Sequence, residues 1–191
     1  MRISGGQFKG RKIATQKVFS KKKNGDEVRP TSSKVREALF DILKSKMDGA
    51  TFLDLFAGTG TVGFEALSRG AAKTCFVEGD HIRSQAIRDF ITRIGLQDRA
   101  VVYTRRALDF LKDSVRTGMT FDIIFADPPY ASGEIEKILP LLDESQVLNE
   151  GGCLMVEHSS RSALQNLLRS LKFIKSYRYG DTMLTLYGKE K

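Results

Sequence analysis

From residue 51 onward two hydrophobic rhythms alternate along the chain. Short apolar runs rich in β-branched and aromatic residues recur at 51–56, 73–78, 99–103, 121–126 and 152–157, and read as strands. Between them, apolar residues three and four apart predict helices over 61–69, 81–94, 106–116 and 133–146. Strands alternating with helices in this way build a parallel sheet from βαβ units, with helices on both faces. A further helix is expected over 160–170, then strands at 172–179 and 182–188 closed by Gly180-Asp181 as a hairpin. Ahead of residue 51, Thr31 or Ser32 is a natural N-cap, and Val35, Leu39, Ile42 and Leu43 carry helical spacing through about Lys46. Residues 2–14 are Gly-rich and read as a small hairpin or irregular strands, and residues 15–28 as a polar loop around Asn24-Gly25.

Composition divides this pattern in two. Of 191 residues, the first 36 hold eleven Lys and Arg against Asp26 and Glu27, a net of +9, while the whole chain carries +8. The α/β body is therefore nearly neutral, and the basic character sits in the N-terminal segment. A positive segment on a neutral body is the electrostatic footprint expected for nucleic acid. The expected division is a basic nucleic-acid-binding appendage over 1–31 and an α/β domain over 32–191. No apolar run approaches a membrane span and the N-terminus has no apolar signal core, so a cytoplasmic location is expected. Cys75 and Cys153 fall in predicted strands without a CxxC or Cys/His cluster, and His81 and His158 stand apart; no metal site is expected.

The most informative stretch is Phe121 to Tyr130, FDIIFADPPY. A buried strand runs into Asp127-Pro128-Pro129-Tyr130, and two prolines cannot continue a sheet ladder. In open α/β sheets this carboxyl end of the strands is where ligands bind. Neither proline has an N–H, so Asp127 and the nearby carbonyls make a corner of acceptors. Such a corner suits a group with two donor hydrogens, such as an amine on a nucleobase. Tyr130 would stack on the face of that base. Two acceptors on the amine hydrogens favour its pyramidal form with the lone pair free, and Asp127 is placed to take up the released proton. These four residues are the candidate catalytic set. The plainer alternative is a proline turn with a capping Asp.

A second signal lies in Asp54-Leu55-Phe56-Ala57-Gly58-Thr59-Gly60, whose glycines with Gly63 match G-x-G-x-x-G after a strand. Glu78 ends the next strand, where a carboxylate can accept from ribose hydroxyls. NAD and S-adenosylmethionine (AdoMet) both contain adenosine. Asp54 at the strand's mouth would repel a pyrophosphate, whereas the amino group and sulfonium of AdoMet are positively charged. The ligand expected is AdoMet, held by Asp54, Phe56, Ala57, Gly58, Thr59, Gly60, Glu78 and Asp127.

Taken together, these motifs resemble class I AdoMet-dependent methyltransferases that modify exocyclic amines. The chain resembles one branch most closely, the RsmD-type 16S rRNA guanine-N2 methyltransferases of bacteria. Met1 to Lys12 (MRISGGQFKGRK), Val28-Arg29-Pro30-Thr31, Val35 to Phe40, Asp54 to Gly60, Glu65 to Gly70 and Asp127 to Tyr130 carry the likeness. The resemblance implies a Rossmann-like, mostly parallel seven-stranded sheet with an antiparallel last strand. It places Asp54 near the cofactor's amino acid portion, Glu78 on its ribose, and Asp127 with Tyr130 at a flipped guanine. Arg29 and Thr31 would close over the cofactor, and Arg2, Lys9, Arg11 and Lys12 would contact RNA. The chain departs from its relatives at Arg106, where they often carry Asp or Asn to read adenine; an arginine cannot accept a hydrogen bond, so that contact is expected from the backbone of Arg106 and Ala107. The implied protein acts as a monomer on 16S rRNA in the small ribosomal subunit or an assembly intermediate. The rivals are a DNA adenine-N6 or cytosine-N4 amino-methyltransferase, which would usually need an added recognition region, and a non-catalytic RNA-binding assembly factor.

Overall fold

The computed structural model describes residues 2–13, 32–129, 133–162, 164 and 168–190. One sheet of seven strands runs in the order β3-β2-β1-β4-β5-β7-β6. The strands are β1 (Thr51–Asp54), β2 (Lys73–Val77), β3 (Ala100–Tyr103), β4 (Phe121–Ala126), β5 (Leu148–Ser159), β6 (Leu171–Tyr179) and β7 (Thr182–Lys189). β1 to β5 are parallel, and β7 runs antiparallel between β5 and β6. The helices are α1 (Ser33–Ile42), α2 (Thr61–Ser68), α3 (His81–Ile94), α4 (Ala107–Thr117) and α5 (Glu134–Glu144). The antiparallel last strand and the Rossmann-like arrangement are those the resemblance implies.

Parallel strands must be covered on both faces, so they read as continuous apolar runs. Ile123 to Ala126 are all buried for this reason. One face packs Leu53, Ile124 and Leu154 under Phe110 and Leu139 of α4 and α5. The other packs Phe52, Phe125 and Met155 under Leu39 and Phe40 of α1. A third cluster joins Phe64 of α2, Phe76 of β2 and Phe90 of α3.

Three elements differ from expectation, one of them β5, which begins at Leu148 rather than 152 and runs to Ser159 rather than 157. α1 starts with the Ser32 side chain accepting from the Val35 N–H, but it ends at Ile42 and passes into a tight 3₁₀ turn at Lys44–Lys46. That turn satisfies otherwise orphaned end groups, as in the Lys46 N–H bond to the Leu43 carbonyl. The third is the helix expected over 160–170, where the described residues form turns and irregular chain. Their amides have other partners. Ser160 donates to the Asp181 carbonyl at 2.8 Å, and Arg169, Ser170 and Leu171 donate to the Asp143 carboxylate, each at 2.8 Å. Burial alone would raise the Asp143 carboxyl; these amides outweigh it and hold the group below its ordinary value.

Residues 2–13 fold back on themselves, with Arg2 bridged to Lys12. Ile3, Phe8 and Ile13 are buried in the cluster of α2 and α3. Ser68, the last residue of α2, clamps the segment: its carbonyl accepts the Gln7 N–H at 2.7 Å and its hydroxyl oxygen the Phe8 N–H at 2.8 Å. Gly6 makes this approach possible, with φ +75° and room only for hydrogen; a Cβ there would lie 1.8 Å from the Ser68 carbonyl oxygen. Gly6→Ala is therefore expected to unseat residues 2–13 and to cost on the order of 2 kcal/mol. Hydrogen exchange should show faster exchange at Gln7 and Phe8 while β4 stays protected; unchanged protection at both amides would refute the clamp.

Candidate active site

β1 delivers its carboxyl end into a loop built on backbone bonds. Ala57 N–H donates to the Val77 carbonyl at 2.9 Å, and Gly60 N–H to the Ala57 carbonyl at 2.6 Å. Gly60 begins α2 with φ 72°, and a Cβ there would meet the Phe64 ring at 2.8 Å. At Gly63 a Cβ would lie 2.3 Å from the Phe76 ring, so the third glycine of the motif lets α2 lie close on β2. Phe56, Gly58 and Thr59 are half-buried on this turn. The motif's spacing thus translates into a backbone cradle at a helix N-terminus.

Three carboxylates surround the cradle. Asp54 is 1% exposed, and its Oδ2 accepts the Gly63 N–H at 2.9 Å. Burial raises its pKa, the Gly63 amide pulls it back, and the charges of Asp127 and Glu78 add to the rise, which reaches about 7. Glu78 is buried and ties the loop to α3: Oε2 accepts the Gly58 N–H at 2.8 Å, while Oε1 accepts from Asp80 N–H at 2.8 Å and Arg83 Nη2 at 2.9 Å. Oε2 is thus the less occupied oxygen and the one with acceptor capacity left for a ligand hydroxyl. Three acids that repel one another call for a cationic guest and disfavour a phosphate. Glycines without Cβ, a Glu78 oxygen with acceptor capacity left and this acidic surround together fit AdoMet.

Asp127 leaves β4 at the same edge of the sheet, half-buried, with Pro128 buried and Pro129 exposed. A pocket beside it is lined by Pro128, Pro129, Gly133, Glu157, His158 and Ser159. The last three close β5 and were not singled out by the sequence reading. The signal that would have found them is positional: they end the strand next to β4, at the edge where Asp127 was expected. Glu157 is buried, and His158 is held by Thr185 Oγ1 at 2.8 Å and the Ser159 carbonyl at 3.0 Å. Burial lowers the His158 pKa, so the ring is neutral at physiological pH.

The remaining expected residues fall as follows. Arg106 is exposed and is the N-cap of α4, making no side-chain capping bond. Its side chain thus leaves the first-turn amides of α4, beginning at buried Ala107, uncapped. Arg2, Lys9, Arg11 and Lys12 are all exposed on the clamped N-terminal strip. The strip is anchored at Ser68, roughly 12 Å along α2 from the glycine cradle at 1.5 Å per residue. Arg2 and Lys12 are brought together by the bridge between their backbones. Arg29, Thr31 and Tyr130 lie outside the described residues.

A buried ionic node was also missed. Glu65 on α2 is 0% exposed and accepts from Arg36 Nε at 2.8 Å, from Arg69 Nη2 at 2.8 Å and Nε at 3.0 Å, and from the Ser4 N–H at 3.3 Å and hydroxyl. The Arg69 guanidinium also lies over the Phe40 ring, 5.0 Å from its centroid. Three of the segments that carry the family likeness, around Ser4, Arg36 and Glu65-Arg69, therefore meet at one point. They hold the N-terminal strip, α1 and α2 together.

Known proteins place this arrangement. The family profile described as "Conserved hypothetical protein 95" matches residues 1–188. The putative rRNA methyltransferase YlbH of Bacillus subtilis is 34% identical over 189 residues, covering 99% of each chain. Ribosomal RNA small subunit methyltransferase D of Escherichia coli is 31% identical over 190 residues, covering 100% of this chain and 90% of its own. The solved structure of the putative methyltransferase yhhF of Escherichia coli superimposes with a TM-score of 0.83 at 29% identity, covering 100% of this chain and 98% of that one. With a profile match over nearly its whole length and relatives above 30% identity from end to end, the chain belongs to the Conserved hypothetical protein 95 family, the RsmD-type methyltransferases.

Proposed function

We propose that the protein methylates small-subunit ribosomal RNA, transferring the methyl group of AdoMet to the exocyclic N2 amine of a guanine in 16S rRNA. The observation that carries this reading is the exit of β4, where Asp127 and two prolines stand beside the pocket and within electrostatic reach of Asp54 at the cradle. The relatives named for ribosomal RNA support the substrate class. The acceptor chemistry of Asp127 supports an exocyclic amine as the target, and the wider resemblance supports guanine N2. Residues 1–31 are read as the RNA-binding appendage, with Arg2, Lys9, Arg11 and Lys12 on phosphate, and the place of action as the cytoplasm. Among the described residues, no helix is long and apolar enough to cross a membrane.

When bound, AdoMet supplies a methyl group already activated by its sulfonium. The protein's own work is then largely positioning. Asp54, Glu78 and the Gly58–Gly60 backbone would hold the cofactor. Asp127 and the carbonyls beside the prolines would accept both hydrogens of the guanine amine and free its lone pair. Asp127 would then receive the released proton. The acceptor-only corner excludes a ring nitrogen that needs a donor, which is a basis for selecting an amine.

The test is methyl transfer from labelled AdoMet to 30S subunits, naked 16S rRNA and duplex DNA, followed by nucleoside analysis. N2-methylguanosine from rRNA is the expected result. Label in N6-methyladenine or N4-methylcytosine of DNA would overturn the substrate while keeping the pocket chemistry.

A proton linkage is expected at the cofactor site. Ligand-free Asp54 is protonated below about pH 7. A cationic ligand favours the carboxylate, so binding below that pH expels a proton. AdoMet affinity should therefore rise toward pH 7, by at most about tenfold per unit for one proton, and flatten above it. Calorimetry in buffers of different ionisation enthalpy measures the released proton. Asp54→Asn should abolish that release, and an unchanged proton count in this variant would refute the assignment.

A further inference from the structure

We propose that the rim formed by the turn after β5 and the β6–β7 hairpin is a second RNA-binding surface, which grips the backbone of the strand beside the target nucleotide through Arg161 and Arg178. The inference rests on the reading of the protein as an rRNA methyltransferase and extends it to how the substrate is held.

The strand registers put this rim at the edge of the sheet that carries Asp127. Ala126 of β4 pairs with Val156 of β5, so Ser159 reaches the level of Pro129. Ser159 pairs with Thr182, and Thr182 with Tyr179, which places the Gly180-Asp181 turn at that level too. The hydrogen bond from Ser160 N–H to the Asp181 carbonyl, 2.8 Å, ties the β5 turn to the hairpin. Ser159 and Ser162 line the pocket beside Pro129. The rim is thus continuous from the pocket to β6, three strand spacings or about 14 Å away.

Its charge matches a phosphate backbone. Between Glu157 and Asp181 the sequence holds Arg161, Arg169, Lys172, Lys175 and Arg178 and no acidic residue. Lys172 is paired with Glu190, and Lys175 lies over the Tyr177 ring at 5.1 Å. Arg161 and Arg178 are exposed and form no ion pair among the described residues. Arg178 is held on the turn by its Nε bond to the Gly180 carbonyl, 3.0 Å. Tyr177 and Tyr179 flank Arg178 in β6 but point to the other face and pack against the core under α1, so the hold on RNA is through charge. An enzyme that draws a base out of its stack must hold the chain on either side of it, and phosphate contacts do this without reading sequence. The N-terminal strip lies on α2 and α3, so this rim offers the RNA a separate hold next to the pocket.

The test is the double variant Arg161→Glu/Arg178→Glu, assayed with the rRNA substrate that the wild type methylates. KM for RNA should rise roughly tenfold. The slope of log affinity against log salt should flatten by about 1.4 to 1.8, for two lost phosphates. AdoMet affinity and the thermal transition should stay at wild-type values, and Arg161→Lys/Arg178→Lys should retain most of the affinity. Lys44→Glu/Lys73→Glu, at the opposite edge of the sheet, makes the same change in net charge and should leave the slope nearly intact. If the rim pair matches wild type, or if both pairs weaken RNA equally, the rim is not the surface. If the glutamate variant does not fold, Arg161→Gln/Arg178→Gln and RNA binding by filter retention decide by the same criteria. A wild-type protein that labels no rRNA would overturn the underlying reading, a result distinct from normal wild-type transfer with an unaffected rim variant.

Discussion

Asp127→Ala is expected to lower methyl transfer by on the order of a thousandfold, the scale of losing a positioned proton acceptor. AdoMet binding should survive, because the Gly58–Gly60 backbone and Glu78 remain. It should also need less proton release, since the negative charge of Asp127 helps raise the Asp54 pKa. Single-turnover transfer and calorimetry together separate these effects. Asp127→Asn is the sharper companion. It keeps one carbonyl acceptor but introduces two amide hydrogens facing an amine that is itself a donor, so it should remain strongly impaired despite matching shape. Near-normal turnover in either variant would remove Asp127 from the mechanism and leave Asp-Pro-Pro as a turn.

The second large effect is expected at Glu65, far from the reacting atoms. Glu65→Ala would leave Arg36, 5% exposed, and half-buried Arg69 without their shared carboxylate. Breaking a buried ion pair in this way costs about 3–5 kcal/mol, because an uncompensated charge stays behind. For a domain of this size that is a fall in melting temperature of roughly 10 °C. Ser4 would lose both of its bonds to the carboxylate, so the N-terminal strip should loosen together with α1. Calorimetric melting and protease sensitivity near residue 10 measure the two losses. A wild-type melting temperature would mean that the node contributes nothing net.

The sheet was legible because its signals are local. Each of Phe52 to Leu53, Cys75 to Val77 and Ile123 to Ala126 is a short apolar run, and burial on both faces makes such runs unambiguous. Gly60 and Gly63 likewise announced a tight approach that the Phe64 and Phe76 rings enforce. What escaped the sequence was set by distant partners. Glu65 reads as an ordinary polar residue in a helix, and only the arrival of Ser4, 61 residues away, and Arg36, 29 residues away, makes it a buried node. The segment after Ser159 has apolar spacing fit for a helix, yet Asp181 and Asp143 claim its backbone amides. The pKa of Asp54 belongs to the same class, since Asp127 and Glu78 approach it only once β1, β2 and β4 are side by side.

The interior position of β7 has a consequence for synthesis. Although β7 is made after β6, it lies between β5 and β6 and pairs with both. Until β7 has emerged from the ribosome, the apolar edge of β5 from Cys153 to Val156 has no neighbour on that side. Neither does β6, which at that stage has nothing to pair with. Unpaired edges of this kind recruit other chains, and long-range pairings form slowly. A nascent copy stalled before Thr182 would therefore be a target for chaperones, and only chains carrying β7 would bring the Arg178 hairpin beside the pocket.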